Sequence, residues 1–600
     1  MNRAPRGTFC WSGQLYLVWK EADFKLGITH KPGLDFSFWT GRGYQFKTLL
    51  ATPLSLATAY FLWERLTRSL SFLRTSPAEV ELLLAGEIKK GLRLLKLATG
   101  FSKAPETLLA PPAGSLLATD VCWPAPAELE NIRRTLSGRI LYREELDAAL
   151  AEMGLRPLAP LEDSLQILAL SGEITLIPAV GLNPRGEPFC NRCGQAGSLK
   201  LVSCAACGGP CFICEECLSM GLSRSCRPLY ASPGGRAVVN SKMPPDPGFK
   251  LTPAQTHAAA ELKAFVRRRS KRECLLWAAC GAGKTEVAFG AIATALERGD
   301  EVLYATPRRE VVRELAPRLR GAFGPEQVAA LHGGSTSKFR RAPLTLATTH
   351  QAIRYFRRFG LVVLDEIDAF PFRQNPMLHY AVDRARLEDG QIIYLTATPP
   401  EGLVRRLRRQ GEIVYLPARH HGYPLPEPYL LAARKLDARR PWLVPGEAEA
   451  FLSLSREEDK AQVLVFVPAV EMVAGIAAAL AGSGRVAGCS AADPERDEKL
   501  AAFRHRQLEV LVTTTLLERG LTLERINVLV LFADVEEIFD VNTLVQIAGR
   551  VGRTLSYPHG RVWFVGRRIS PAMTAARARI REFNLLAARR GYLRPGTYKL

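Results

Sequence analysis

The chain has 600 residues, too many for one hydrophobic core, and its 47% apolar content is that of a folded protein rather than a disordered one. Its 80 Lys and Arg against 59 Asp and Glu leave a formal charge of +21, which suits a partner made of phosphates or an anionic membrane face. No run of eighteen apolar residues predicts a membrane span, and no apolar leader predicts secretion, so a cytoplasmic protein is expected, with peripheral attachment to the inner membrane face left open.

Residues 1–125 are the least readable part and are expected to be mainly helical, with their role open. In them "LLATPLSLATAYFLW" (49–63) reads as a buried core helix broken by Pro53. "IKKGLRLLKLATGF" (88–101) is basic and amphipathic, read as a core-packing helix with a basic outer face; lying on an anionic membrane is the other reading. Residues 126–188 predict a small helical or winged-helix-like module. "AELENIRRTLSG" and "LYREELDAALAEMG" supply its helices, and "LQILALSGEITLIPAV" (165–180) is expected to fold as a hairpin or wing across its Ser-Gly turn.

Of 13 cysteines, eight crowd into residues 189–230: Cys190, Cys193, Cys204, Cys207, Cys211, Cys214, Cys217 and Cys226. In a large chain this density reads as metal in a reducing compartment rather than disulfides. Eight thiolates suffice for two tetrahedral Zn²⁺ sites, or one site with spares. An iron–sulfur cluster is the rival, and the Gly-Gly and "RCG" knuckle turns favour a zinc-ribbon-like module. With no His in the cluster to mark an open catalytic position, the metal is read as structural.

A linker composition follows at 232–249. Buried strands then alternate with helical segments: "CLLWAA", "EVLYATP", "LTLATT", "GLVVLDE" and "QIIYLTATP", then, past the Pro-rich break at 421–429, "QVLVFVPA", "EVLVTTT", "NVLVLFAD" and "RVWFVG". The expected fold class is α/β, with two consecutive parallel-sheet domains at 245–420 and 421–600.

"AACGAGKT" ends the first of these strands. Gly281 and Gly283 let backbone N–H groups approach phosphates, Lys284 reaches the β- and γ-phosphates, and Thr285 holds Mg²⁺. "GLVVLDEID" places Asp365 to orient Mg²⁺ and Glu366 to polarise the attacking water. "QIAGRVGR" offers Arg550 and Arg553 one helical turn apart on one face, and an arginine finger from the second domain would stabilise the transition state only on domain closure.

As a set these motifs resemble the two RecA-like lobes of superfamily 2 helicases. "LTPAQ" (251–255) resembles the adenine-reading element, with Gln255 its reader; "TPRRE" (306–310) and "TTHQ" (348–351) resemble strand-contacting elements, and "TAT" (396–398) the coupling motif. "TTTLLERGLT" (513–522) resembles the fifth motif, with Thr522 where many relatives have Asp. The resemblance implies a nucleotide site drawing on Gln255, Gly281, Ala282, Gly283, Lys284, Thr285, Glu286, Gly520 and Gln546.

The cysteine cluster ahead of "WAACGAGKTE", "LHGGS", "DEID", "RHHGYPLPEP" and "LLERG" is similar to the ComFA family, over residues 126–600. That implies ATP-driven movement of single-stranded DNA into the cytoplasm during transformation, beside a membrane DNA-uptake channel and a phosphoribosyltransferase-like partner. Oligomeric state is left open. The alternative is a replication-restart helicase similar to PriA, but there the cysteines interrupt the second lobe, and here they precede the first.

Overall fold

The computed structural model describes residues 12–20, 23–49, 54–70, 77–99, 123–205, 207, 209–236, 250–433, 436–437, 444–490, 493–515 and 523–598. The expected linker beyond residue 236, Gly520 and Thr522 lie outside them. The chain divides into two compact units, one formed by Met1–Val238, Ala329–Val362 and Phe370–Gly390, the other by Val239–Val328, Val363–Ala369 and Gln391–Leu600.

In the first unit, strand Ser12–Lys20 pairs antiparallel with Asp23–Thr29, Gln45–Thr48 and Leu54–Ser55. Helix Leu56–Leu70 buries Leu56, Ala59, Leu62 and Leu66, whose spacing of three and four puts them on one face. Helix Pro77–Thr99 packs on it through Val80, Leu84, Ile88 and Leu95 while Lys89 and Lys90 stay exposed, the core helix with a basic outer face that the sequence suggests. No helix among the described residues is long and apolar enough to cross a membrane.

Next comes a small module of helices Pro126–Leu136, Arg143–Glu152 and Leu161–Leu170 with strands Arg139–Leu141 and Thr175–Pro178. The expected 165–180 hairpin does not form, because its first half belongs to the third helix. Glu162 and Asp163 sit in that helix's first turn, where the macrodipole favours acids, and Leu161, Leu165 and Leu168 bury one face. Strand Thr175–Pro178 pairs instead with Pro228–Ser232, which also pairs with Arg139–Leu141. The cysteine segment is therefore an insertion whose two ends are held in one sheet. Within it Val180–Leu182 pairs with Pro188–Cys190, and Gly209–Cys214 pairs with Leu199–Cys204 and Ser223–Arg224.

The first RecA-like sheet has seven strands in the order Val328–Leu331, Leu344–Thr348, Val302–Thr306, Phe359–Asp365, Arg386–Thr396, Glu273–Ala278, Glu412–Leu416. The second has six, all parallel: Tyr429–Ala432, Val562–Gly566, Ile526–Leu531, Gln462–Phe466, Val510–Thr513, Val486–Cys489. The central strands are the contiguous apolar runs of the sequence. Val328–Leu331, Glu412–Leu416, Tyr429–Ala432 and Val486–Cys489, all at sheet edges, are additions.

Candidate active site and metal centres

Strand Glu273–Ala278 ends in a loop whose glycines take left-handed backbone, Gly281 at φ 76° and Gly283 at φ 78°. A Cβ on Gly283 would also lie 2.4 Å from Gln255 Nε2. Helix Lys284–Glu297 starts immediately after, so its N-terminal amides face a cleft of ≈ 320 Å³. Lining this cleft are Gly281, Ala282, Gly283, Lys284, Thr285, Glu286, Asp365, Glu366, Gln546 and Arg553, gathered from both RecA-like domains.

Lys284 Nζ lies 2.5 Å from Asp365 Oδ1. Burial disfavours the ammonium, but the charges of Asp365 and Glu366 outweigh it and hold the Lys284 pKa above its ordinary value. Asp365 also accepts from Tyr304 Oη at 2.8 Å and from the Glu366 amide at 2.8 Å. Burial, then the Asp365 charge, push the Tyr304 pKa well up, so the phenol stays a donor. Glu366 has φ 54°, a left-handed value that costs a non-glycine residue energy, and Arg308 Nε stands 3.9 Å from its Oε2. Glu286 is ion-paired to Arg318.

Asp368, which the sequence analysis passed over, joins three motifs. It accepts from Thr396 Oγ1 at 2.7 Å and from Thr398 Oγ1, and Gln546 Nε2 reaches Thr398 Oγ1 at 3.0 Å and Asp368 Oδ2 at 3.3 Å. The signal was present in the third acid of "DEID" and the two threonines of "TAT".

The two arginines do not share a helical face. Helix Val541–Ala548 stops at Gly549, and the remainder is a turn in which Gly552 takes φ 69°. Arg553 lines the cleft, while Arg550 is 1% exposed and does not. Gln255 is engaged at both ends of its amide: Oε1 accepts from the Thr252 amide at 3.0 Å, and Nε2 donates to the Ala282 carbonyl at 2.9 Å.

Arg419, within "ARHHG", was also missed. It is 2% exposed and donates to four carbonyls, Cys280 at 2.9 Å, Val551 at 2.7 Å, Gly552 at 2.5 Å and Gly549 at 3.0 Å. It therefore ties the end of the phosphate loop to the turn that carries Arg553.

The cysteines form two interleaved groups, Cys190, Cys193, Cys214 and Cys217, and Cys204, Cys207, Cys211 and Cys226, each with its sulfurs within 4.8 Å of one another. Sγ separations are 3.8 Å for Cys190–Cys217, 3.5 Å for Cys193–Cys214, 3.9 Å for Cys204–Cys226 and 3.6 Å for Cys211–Cys226. Four thiolates about 2.3 Å from one tetrahedral ion would stand about 3.8 Å apart, so each group has room for a single ion and not for a polynuclear cluster. Cys211 and Cys214 go to different sites because strand Gly209–Cys214 carries both: three residues apart, they point to opposite faces.

The first of these sites is braced by buried charge. Arg384 donates to the carbonyls of Asn191 at 2.7 Å and Arg192 at 2.9 Å, and to that of Ile353 at 2.6 Å. Glu145 receives Arg192 at 2.8 Å and Arg354 at 3.1 Å; burial alone would raise its pKa, but these two guanidinium groups hold it below the ordinary value.

Residues 127–231 match the family model described as Competence protein ComFA N-terminal domain, residues 252–406 the DEAD/DEAH box helicase model, and residues 446–554 the Helicase conserved C-terminal domain. The chain is 36% identical over 466 residues to Competence protein ComFA of Bacillus subtilis (strain 168), covering 77% of this chain and 96% of that protein. To Competence protein ComFA of Streptococcus pneumoniae (strain ATCC BAA-255 / R6) it is 34% identical over 417 residues, 67% of this chain and 91% of that one. The solved structure of RecG bound to a three-way DNA junction aligns with a TM-score of 0.40 at 22% identity, over 56% of this chain and 45% of that chain. A phosphate loop, an acidic strand end and an arginine-bearing turn in one cleft, behind a paired cysteine insertion and with such relatives, identify a helicase-superfamily ATPase that belongs to the ComFA family.

Proposed function

We propose that the chain is a DNA-dependent ATPase that moves along single-stranded DNA and powers its uptake into the cytoplasm. One observation carries the reading: Lys284, Asp365, Glu366 and Arg553 line the same cleft, and Gln546 connects it to "TAT". Thr285 and Asp365 would hold Mg²⁺, which supplies positive charge between the phosphates. Lys284 leaves Asp365 for the β- and γ-phosphates, Glu366 accepts the proton of the attacking water, and Arg553 meets the charge that develops at the γ-phosphate. Gln255 would read adenine with the second N–H and the second lone pair of its amide, while its bonds to the Ala282 carbonyl and the Thr252 amide hold it in place. Each cysteine group would hold one Zn²⁺ as a structural ion, since all four positions are filled by thiolates.

The test is phosphate release with and without a 30-mer of oligo(dT), across a salt series. A severalfold stimulation that fades steeply with salt is expected, because Lys and Arg that neutralise phosphates release counterions. Turnover unchanged by DNA that is demonstrably bound would refute the proposal.

A further inference from the structure

Residues 12–99 lie outside all three matched family segments, yet they close a second cleft with helix Leu161–Leu170 and strand Thr175–Pro178. This cleft measures ≈ 280 Å³, and Tyr16, Trp39, Tyr60 and Trp63 line it, with Leu170 and Leu176 across from them. Trp39, Tyr60 and Trp63 are only half-buried. Both indole N–H groups are already engaged: Trp39 Nε1 donates to the Tyr16 hydroxyl at 3.1 Å and Trp63 Nε1 to the Leu26 carbonyl at 2.9 Å. Tyr60 and Trp63 have ring centroids 5.4 Å apart, and Tyr16 is stacked on Phe46 at 4.6 Å.

Rings fixed in orientation, with no indole N–H to spare, offer their faces. That is the chemistry of stacking, which recognises a flat conjugated ring and tolerates any pattern of donors and acceptors on its edge. Cations stand beside them. The Lys25 ammonium lies over the rings of Trp39 and Tyr44, 5.3 Å and 5.0 Å from their centroids; its side chain is 45% exposed, and it donates to the Tyr44 hydroxyl at 3.1 Å and pairs with the exposed Asp23 at 3.3 Å, while Arg42 lies over Phe38 at 3.6 Å. An aromatic residue of a protein partner would satisfy the rings and leave the chain's net charge of +21 unmatched, whereas a base carried on phosphates matches both.

We infer that this cleft is a second single-strand site: a nucleobase of single-stranded DNA stacks among Trp39, Tyr60 and Trp63, and the adjoining phosphate meets Lys25. The inference rests on the proposal that the chain works on single-stranded DNA and adds where, away from the motor, the strand is held.

Photo-crosslinking the full chain to a 30-mer of oligo(dT) carrying 5-iododeoxyuridine, with peptide mapping, is expected to give adducts on segments that contain Trp39, Tyr60 or Trp63. In anisotropy titrations Tyr60→Ala and Lys25→Glu should each weaken the 30-mer about tenfold, the scale of one stacked base. Tyr60→Phe should bind as the parent does, and turnover without DNA should not change in any of the three. Adducts confined to the RecA-like domains, with parental affinity in both weakened variants, would overturn this site and leave the proposed function standing. Failure of the chain to bind the 30-mer at all would remove the proposed function first. Suppression of the cleft adduct by dTMP present during irradiation, with no dependence of affinity on strand length, would make it a mononucleotide site and overturn the inference as well. Should Tyr60→Ala fail to fold, the adducts of the parent chain still decide.

Discussion

Replacing Arg419 by Ala removes a buried guanidinium and its hydrogen bonds to four carbonyls, at Cys280, Gly549, Val551 and Gly552, of which Gly549 keeps Arg553 and Gly552 keeps His421. Hydrogen bonds from a charged donor contribute about 1.5–3 kcal/mol each; with water reclaiming half of them in the vacated space, about 3–6 kcal/mol is lost at this junction. The energy does not act on the nucleotide directly. It acts on the turn that carries Arg553, whose Nε also donates to the Gly549 carbonyl at 3.1 Å. A displacement of about 1 Å in a group that must meet the transition state costs about 10²-fold in rate. Arg419→Ala should therefore lower kcat about 10²-fold and leave nucleotide affinity nearly intact, since the loop, Lys284 and Thr285 are still in place. Arg419→Lys should fall between, because one ammonium cannot span four diverging oxygens. Steady-state phosphate release, a fluorescent-nucleotide titration and thermal melting separate the terms. A parental kcat in Arg419→Ala, or a loss carried wholly by nucleotide affinity, would refute this reasoning.

Lys284→Ala should abolish hydrolysis and, because it leaves the buried Asp365 carboxylate without its ammonium, lower the melting temperature, which phosphate release and calorimetry would check. Glu366→Gln should bind nucleotide and fail to hydrolyse it, seen as tight binding without turnover. Emission spectroscopy should find two metal ions per chain; Cys193→Ser with Cys214→Ser should cost both ions, because the two sites share strand Gly209–Cys214, and keep basal turnover, while DNA stimulation falls. Burial pushes the Asp35 carboxyl up to about 7, against the hydrogen bonds it receives from Tyr16, Thr29 and Gln166. Because its folded pKa is raised, its contribution is fully present below the unfolded value near 4 and is lost as pH rises through 7. The melting temperature of the segment that contains it should fall between pH 4 and 7, and Asp35→Asn should flatten that slope.

The motor was legible because its chemistry is local. A phosphate loop needs glycines at fixed offsets from a strand and a helix, and buried parallel strands write themselves as unbroken apolar runs. What escaped depends on distant contacts. A buried Arg419 looks in sequence like any surface arginine, since its partners are backbone carbonyls that every residue possesses. Arg550 and Arg553 have helical spacing, and only the glycines between and beside them, at 549 and 552, hint that the helix has ended. "LQILAL" is a short apolar run that serves a strand or a buried helix equally well, and the acids before it decided the matter. The eight cysteines announced metal, but their division turned on strand parity, which the CxxC spacing of Cys211 and Cys214 conceals.

That division has a consequence for assembly. Strand Gly209–Cys214 gives a thiolate to each site from opposite faces, so a slip of one residue against its neighbours would exchange the faces and empty both sites together. An ion bound at either site would fix the register and so hold the other sulfur in place, which would make loading cooperative and half-loaded chains scarce. Two bound ions would thus fix the alignment of a segment whose ends, Thr175–Pro178 and Pro228–Ser232, pair in the parent sheet.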